Sequence, residues 1–464
     1  MYKIVEKKLS APLEESWIPI EYDAVPETTA DDYAERIQRL WRACDCSCVI
    51  IYADREHFSN MHYFTGYDPR FEEALLILRR DQRPQIIVGN EGLDYVRIVP
   101  YDIEVRLYQT FSLMGQPNRQ GSHALEELLR DCDLPQSGDI GLIGWKQYGI
   151  GQKSLRTDFP HYIVEALENI VDRGRLKNVT YLMSDCEKGL KHAITAKEIV
   201  QFEALGTKIS RNVYAAIKDL RPGVREIDGS RSLCLDGDPM DVHPIFSFGE
   251  SNVRLGLSSP RYHKRLALGD WVCIGYGLRG SLVNKSGLYV RNAQEIPEDK
   301  RDYMDGFVKP YFASIVRWYE MMQIGRACGD IWQMVEEWLG FERFNIRLNP
   351  GHLSHTDEWT DSPFYPESKI CIRSGMALQC DYTVSFSDPY MTSHVEDGLV
   401  IADKELREQV AVLGPQCWGR IQQRRDLMKR VLNIALPDEV LPLSDLPAIC
   451  FPYMGDTSTI LAKA

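Results

Sequence analysis

The chain has 464 residues, of which 44% are hydrophobic and 26% charged, and its formal net charge is −13. This length exceeds what one hydrophobic core usually supports, so we expect two domains in a soluble globular protein. The negative charge argues against a nucleic-acid partner, which needs a basic surface, and no apolar run is long enough to cross a membrane.

The N-terminus and the cysteines both indicate the cytoplasm. The N-terminal residues mix charges and lack the apolar segment of a signal peptide. Three of the 12 cysteines, Cys44, Cys46 and Cys48, form a C-x-C-x-C pattern. On a strand they would share one face, which we interpret as a buried face of small apolar residues. The remaining cysteines are scattered, as in cytosolic proteins with free thiols.

The first part of the chain alternates strand-like and helix-like segments. Short apolar runs predict strands in SCVIIYA, EALLILRR, QIIVGN and DIGLIG, and helical periodicity appears in ALEELLRDC and HYIVEALENIV. Apolar periodicity is lost between Val171 and Asp185. We therefore predict an α/β domain over residues 1–180 and a second domain over residues 181–464.

The second domain opens with a long helix. Thr195 and Glu198 form a capping box, in which each side chain satisfies a free backbone donor at the helix start. Apolar residues then recur at helical spacing, and the helix is predicted to stop at Arg221-Pro222-Gly223.

A similar layout recurs about a hundred residues later, which indicates a weak internal duplication. Helical sequence from Tyr311 to Met322 reaches Gly325, breaks, and resumes as IWQMVEEWL. Strand-like sequence then dominates each copy, in DWVCIGYG, SLVNKSGLYV, GMALQCDYTVSF and SHVEDGLVIA. Long helices packed over an antiparallel sheet would bury both sets of apolar faces.

These segments resemble the creatinase/prolidase/methionine-aminopeptidase family, whose fold is called pita-bread. YADREHFSNMHYFTGYDPRFEEALLIL is similar to the family's strand, N-x-x-Y-x-T-G turn and strand. ITAKEIVQFEALGTKISRNVYAAIKDLRPGVREID is similar to its K-x-x-E-I helix and P-G-x-x-E turn. Four further segments follow in the family's order and approximate spacing: LALGDWVCIGYG, PGHLSHTDEWTDSP, SGMALQCDYT and HVEDGLVIAD.

The resemblance implies an α+β protein. It would have a C-terminal pita-bread domain, with a curved antiparallel sheet and long helices, preceded by an α/β domain of the creatinase type. Active family members hydrolyse bonds next to proline or methionine with two metal ions, held by two Asp, one His and two Glu. The resemblance also implies a homodimer and a substrate that is a small molecule or short peptide.

Two of the implied metal ligands are missing. The first family Asp falls on Gly275, and the second falls on Ser286, or on Asn284 if two residues are deleted. From Trp271 to Ala293 the sequence contains no Asp or Glu at all. Two adjacent cations need more anionic oxygen than remains, so we predict that the two-metal centre, and with it the family's usual metallopeptidase activity, is absent.

The later ligands are retained. His352 matches the metal histidine, Asp381 occupies the place of the first Glu, and Glu396 matches the last Glu. His394 replaces an arginine and shares a strand face with Glu396. These residues predict either one divalent ion at most, with Mn, Zn, Co and Fe not distinguished, or a metal-free cavity of hydrogen-bonded polar side chains.

The two catalytic histidines of the family are also missing. The first falls on Leu257 or Ser258, and the second on Trp359 or Thr360. None of these side chains titrates near neutral pH. Creatinase breaks a C–N bond without the metal ligands, but it uses the first of these histidines.

A replacement base would therefore have to be His394 or His355, although we interpret His355 as a loop histidine. Gly275, Gly277 and Gly280 spell G-x-G-x-x-G, but a strand-like segment follows them instead of a helix. We interpret that match to a dinucleotide-binding motif as a coincidence.

The sequence thus leaves two hypotheses, and it does not decide whether the chain is an enzyme. In the first, a hydrolase acts on a C–N bond in a small substrate. His352, Asp381, His394 and Glu396 line its pocket, and Glu396 or His394 is the base. In the second, the chain is an inactive pseudoenzyme whose cavity or surface binds a ligand or a protein.

Overall fold

The computed structural model describes residues 1–116, 123–148 and 156–464. The strands are β1 Ile4–Lys8, β2 Cys48–Ala53, β3 Ala74–Arg79, β4 Gln85–Val88, β5 Glu104–Leu107, β6 Ile140–Ile143, β7 Leu176–Asn178, β8 Met240–Phe248, β9 Trp271–Leu278, β10 Ser281–Leu288, β11 His352–Leu353, β12 Ala377–Gln379, β13 Val384–Ser387, β14 Tyr390–Ile401, β15 Val440–Pro442 and β16 Thr459–Lys463. The α-helices are α1 Ala30–Ala43, α2 Ser59–Thr65, α3 Gly92–Tyr95, α4 Leu125–Asp131, α5 His161–Glu168, α6 Tyr181–Ser184, α7 Ala196–Lys218, α8 Glu226–Gly229, α9 Glu250–Val253, α10 Lys309–Glu320, α11 Cys328–Trp338, α12 Lys404–Leu413 and α13 Pro415–Asp426.

The chain divides into two compact units. The large unit contains residues 1–26 and 193–464, and the small unit contains residues 27–192. The predicted boundary is a single one near residue 180, whereas the compact units change at residues 26/27 and 192/193. The first 26 residues join the large unit because β1 pairs antiparallel with β16.

The small unit is built on a six-stranded sheet in the order β5-β4-β3-β2-β6-β7. Strand β2 runs parallel to β6 and antiparallel to β3. Both β2 and β3 are buried apart from the last residue of β3, because helices cover the two faces of the sheet. The four strands and two helices predicted in this part of the chain are confirmed.

The three clustered cysteines do not share one strand. Helix α1 ends at Ala43 and β2 begins only at Cys48, so Cys44 and Cys46 lie in the connection between them. All three side chains are nevertheless buried, with exposed fractions of 8% or less. The predicted burial is therefore confirmed, and the prediction of a common strand face is wrong.

The large unit contains an antiparallel sheet in the order β11-β12-β14-β10-β9-β8, with β13 and β15 also paired to β14. Helices α7, α12 and α13 pack together over this sheet and bury an apolar cluster with β12, β14 and β15. The predicted α+β class is confirmed. None of the helices in the described ranges is both long enough and apolar enough to span a membrane.

Helix α7 begins at the predicted capping box. The Glu198 backbone N–H donates to Thr195 Oγ1 at 3.3 Å, and the Thr195 backbone N–H donates to Glu198 Oε2 at 2.8 Å. The helix then runs to Lys218, three residues before the predicted stop at Arg221. Its apolar stripe is buried, which accounts for its stability as a 23-residue helix.

The two halves of the large unit repeat the same local geometry. In each half a helix is followed by a glycine with positive φ. The N–H of this glycine donates to a carbonyl about 45 residues later. An isolated β-bridge forms two residues after the glycine. The contacts are Gly223 to Leu266 and Gly325 to Ile372, and the bridges are Arg225–Arg265 and Ala327–Cys371. The internal duplication suggested by the sequence is therefore visible in the hydrogen bonding.

Candidate metal centre

A cavity of about 600 Å³ lies on one face of the large sheet. Successive side chains on a strand point to opposite faces, so alternate residues of β9, β10 and β14 line it. These residues are Cys273, Leu282, Asn284, Ser286, Thr392, His394 and Glu396. The other face of β9 meets helix α7, where the Asn212 side chain donates to Tyr276 Oη at 2.9 Å.

Four side chains converge at this cavity with one metal-binding atom each. His352, Glu358, Asp381 and Glu396 place those atoms within 4.8 Å of one another. His352 comes from β11, Asp381 follows β12, Glu396 lies on β14, and Glu358 lies in the loop after β11. The structure thus brings together the three metal-ligand candidates of the sequence analysis and adds Glu358, which that analysis missed.

The imidazole of His352 faces this carboxylate cluster. Its Nε2 atom lies 2.9 Å from Glu358 Oε1 and 3.6 Å from Asp381 Oδ2. The side chain is fully buried, yet Nε2 meets hydrogen-bond geometry with no atom of residues 1–116, 123–148 or 156–464. Burial lowers the pKa of His352, but the charges of Glu358 and Asp381 outweigh this effect and raise it above its usual value.

Asp381 connects the cluster to His394. His394 Nε2 lies 2.9 Å from Asp381 Oδ1 and 3.8 Å from Glu396 Oε2. Burial raises the pKa of Asp381, but the hydrogen bond and the charge of His394 reverse the shift and hold it below its usual value. His394 lies outside the four-residue cluster, and its hydrogen bond orients the Asp381 carboxylate.

Glu396 has the opposite shift. Burial, followed by the charges of Asp381, Glu358 and Asp397, raises the pKa of Glu396 well above its usual value. Close buried carboxylates cannot all be ionised without a compensating positive charge. An imidazole nitrogen and three carboxylate oxygens are donors that divalent transition metals accept in proteins, so this set of residues fits one such ion.

The loop that carries Glu358 is closed at its base and fixed at a second point. The Leu353 N–H donates to the Asp361 carbonyl at 2.7 Å, and His355 Nε2 lies 3.4 Å from Glu198 Oε1. His355 is thus directed toward the start of helix α7 and does not reach the four-residue cluster. Trp359 stacks on His352, with ring centroids 4.1 Å apart and an interplanar angle of 19°.

The positions of the two missing aspartates are adjacent in the sheet. Gly275 is paired with Asn284, and Asn284 is paired with Glu396 on the next strand. Each half of the unit also has a glycine whose N–H donates to the end of the neighbouring strand, Gly269 to Tyr289 and Gly375 to Ile401. When positions are counted from these two hydrogen bonds, Gly275 is equivalent to Asp381. In the same way Asn284, and not Ser286, is equivalent to Glu396.

Close backbone packing leaves no room for a side chain at position 275. A Cβ atom on Gly275 would lie 2.6 Å from the Val283 carbonyl oxygen and 2.8 Å from Asn284 Cα. The Asn284 amide oxygen accepts a weak hydrogen bond from Cys273 Sγ at 3.4 Å. Positions 275 and 284 therefore contribute no charge to the cavity. The G-x-G-x-x-G match at Gly275, Gly277 and Gly280 is followed directly by strand β10 and not by a helix, which confirms that the match is a coincidence.

A further carboxylate lies close by on β8. Both oxygens of Asp241 are buried and have no hydrogen-bond partner within the described ranges. Burial, followed by the charge of Glu358, raises the pKa of Asp241 well above its usual value, although the backbone N–H groups of Val242 and Asp241 act in the opposite direction. Asp241 is not among the site residues predicted from the sequence.

The architecture matches solved peptidase structures of the pita-bread fold. An Xaa-Pro dipeptidase from Bacillus anthracis is 14% identical with a TM-score of 0.60, and the match covers 80% of this chain and 96% of that one. A recombinant prolidase from Thermococcus sibiricus is 13% identical with a TM-score of 0.61, covering 82% and 96%. An X-Pro aminopeptidase from Thermotoga maritima MSB8 is 12% identical with a TM-score of 0.56, covering 79% and 96%.

At these identities the similarity establishes the fold alone. The predicted resemblance to the pita-bread family is confirmed at that level. Neither a scan against protein-family models nor a search of curated protein sequences finds a match.

Proposed function

We propose that this protein is a hydrolase that cleaves a C–N bond in a small substrate or short peptide, with a single divalent ion held by His352, Glu358, Asp381 and Glu396. The observation that carries the proposal is the buried Nε2 atom of His352. It faces three carboxylate side chains and makes no hydrogen bond of good geometry within the described ranges. A cation there would satisfy the nitrogen and compensate the carboxylates together.

A bound divalent ion supplies Lewis-acid polarisation of the substrate and lowers the pKa of a water molecule. His394 is the residue suited to move the proton. With the Nε2–H donating to Asp381 Oδ1 at 2.9 Å, the lone pair is on Nδ1, which can take a proton from water and return it to the leaving nitrogen. Asp381 then stabilises the imidazolium form.

The uncharged residues at positions 275 and 284 support one ion and not two. Gly275 has no side chain, and Asn284 is uncharged where a second cation would need a carboxylate. The family's two catalytic histidines are replaced here by side chains that do not titrate, such as Trp359. His394 is therefore the base in this proposal, in place of either of those histidines.

The cavity has the size and lining of a small-molecule site. Its volume of about 600 Å³ is within the range of about 300–1,000 Å³ that is usual for such sites. Apolar side chains from Val242, Ile245, Leu257 and Leu348 line it together with Trp359. A substrate with an apolar group beside the scissile bond would bury that group against this wall.

Metal analysis and turnover on one preparation test the proposal. The expected result is one bound equivalent of Mn²⁺, Zn²⁺ or Co²⁺ and hydrolysis in a panel of proline dipeptides, amides and amidines. His352→Ala should lose both the metal and the activity. His263→Ala is the matched control, because His263 is exposed and does not line the cavity. Absence of metal and of turnover in the unmodified protein would contradict the proposal.

The second candidate is an inactive binding module, and a specific observation favours it. Trp359 lines the cavity and stacks on His352, at one of the places where the family has a catalytic histidine. Such a ring suits ligand binding without chemistry. Stoichiometric metal together with turnover would exclude this candidate, whereas ligand-induced stabilisation without turnover would support it.

The proposal also includes a homodimer and a cytoplasmic location. Both are expectations of the sequence analysis, the first from the family resemblance and the second from the scattered cysteines, which are typical of cytosolic proteins with free thiols. Light scattering coupled to size-exclusion chromatography measures the oligomeric state directly, and a monomer at micromolar concentration would contradict the dimer.

A further inference from the structure

A carboxylate outside the four-residue cluster lies on the adjoining strand. Along β8 and β9 the pairing passes from Met240 opposite Leu278 to Val242 opposite Gly277. Asp241 is therefore the extra residue of a β-bulge. Bulges change the direction of a side chain and are frequent beside active sites.

Gly277 leaves the space that the Asp241 carboxylate occupies. A Cβ atom at position 277 would lie 2.2 Å from Asp241 Oδ1. Gly277 shares its sheet face with Cys273, which lines the cavity, because the two are four residues apart on β9. Asp241 thus extends over the cavity face of β9, one alternate position beyond Gly275.

No positive charge compensates this carboxylate within the described part of the chain. Its two oxygens are buried and have no partner of good hydrogen-bond geometry there, and the nearby backbone N–H groups of Val242 and Asp241 offset the effect of burial only in part. The charged groups that act on it most strongly are Glu358 and Asp357, which are both negative. A buried carboxylate without a counter-charge is unfavourable, because burial removes the hydration of the charge and nothing replaces it.

We infer that Asp241 belongs to the metal centre, where β8 supplies the negative charge that β9 lacks at Gly275. The inference rests on the proposed single-ion site and extends it to a residue from a different strand. A cation held by the four-residue cluster would be attracted by Asp241. The cation would in turn compensate the buried charge of Asp241. The same attraction should make the site more selective for divalent over monovalent ions.

The test is the affinity for Mn²⁺ of Asp241→Asn, measured by calorimetry and by competition with a fluorescent chelator. Loss of a charged group beside a metal site weakens binding by about 10- to 100-fold, and we expect a dissociation constant raised by that factor. Asp305→Asn is the control, because Asp305 is an exposed carboxylate of the same unit and its loss changes the net charge equally. In metal-free buffer Asp241→Asn should melt at a higher temperature than the unmodified protein.

The outcomes separate this inference from the proposed function. Equal Mn²⁺ affinity in Asp241→Asn and the unmodified protein would overturn the role of Asp241 and leave the single-ion site intact. An unmodified protein that binds no Mn²⁺ would overturn both. Asp241→Ser, which is smaller and also neutral, provides the same comparison if Asp241→Asn does not fold.

Discussion

Asn284 lies directly opposite Glu396 in the pairing of β10 with β14. The two residues hold equivalent positions in the two halves of the large unit, so a neutral and an ionisable side chain meet where the halves join. Gly275 and Asp381 show the same contrast one strand further out on each side. The carboxylates of the cavity are therefore concentrated in the C-terminal half, and this asymmetry is what limits the site to one ion in our proposal.

Asn284→Asp should strengthen metal binding and lower the stability of the metal-free protein. A further buried carboxylate beside Glu396 is expected to lower the free energy of unfolding by about 1–3 kcal/mol in chelator. Adding Mn²⁺ should then raise the melting temperature more than it does in the unmodified protein. Asn345→Asp, at a less buried position of the cavity lining, is the control. A variant with the same response to Mn²⁺ as the unmodified protein would show that position 284 is remote from any ion.

Glu358→Gln should weaken Mn²⁺ binding by about tenfold or more, because the variant removes one of the anionic donors at the site. Its amide would also present an N–H group to His352 Nε2, which lies 2.9 Å from Glu358 Oε1. Asp357→Asn removes the neighbouring charge and should have a smaller effect. Chelator competition measures both. Equal affinities for the two variants would argue against Glu358 as a ligand.

The metal-free protein should become less stable as the pH rises from acid toward neutrality. Burial and the neighbouring carboxylates raise the pKa of Glu396 in the folded state, so the folded protein retains a proton that the unfolded chain has already lost. Stability then falls with pH above the ordinary value for glutamate, about 4.3, until the folded pKa is reached. Glu396→Gln should flatten this dependence. Denaturant unfolding in chelator between pH 5 and pH 7 measures it, and parallel curves for the two proteins would contradict the assignment.

Much of the scaffold was predictable because its signals are local. The capping box of Thr195 and Glu198 is a pattern of four consecutive residues, and it sets the start of α7 wherever that helix packs. His352, Asp381 and Glu396 could be proposed together because they stand in segments that resemble the family's in order and spacing, and the structure brings them to one cluster. The choice between Asn284 and Ser286 needed the hydrogen-bond register, which a sequence does not contain.

Glu358 and Asp241 were missed for a different reason. Glu358 lies in a loop next to another acid, and only the folding of that loop determines which carboxylate reaches His352. Asp241 is directed to the cavity side by a β-bulge and by the absence of a side chain at Gly277. A bulge of one residue reverses the alternation of faces, so strand periodicity alone assigns such residues to the wrong face.

A buried ion pair beneath the site should be essential for the position of Glu396. Lys285 Nζ lies 2.5 Å from Asp397 Oδ2, and both side chains are at most 2% exposed. Asp397 also accepts hydrogen bonds from Ser444 Oγ at 2.7 Å and from the Ala448 N–H at 3.1 Å. These contacts fix β14 on the face opposite the cavity, at the residue next to Glu396.

Lys285→Met should therefore destabilise the protein by about 3–5 kcal/mol, because Asp397 would be left buried without its cation. It should also weaken Mn²⁺ binding, since Glu396 depends on the position of β14. The double variant Lys285→Met/Asp397→Asn removes the unpaired charge and should recover part of the stability, which denaturant unfolding of the two single variants and the double variant measures as a coupling energy. Additive losses would mean that the two side chains do not stabilise each other, and that Ser444 and the Ala448 N–H are sufficient to hold Asp397 in place.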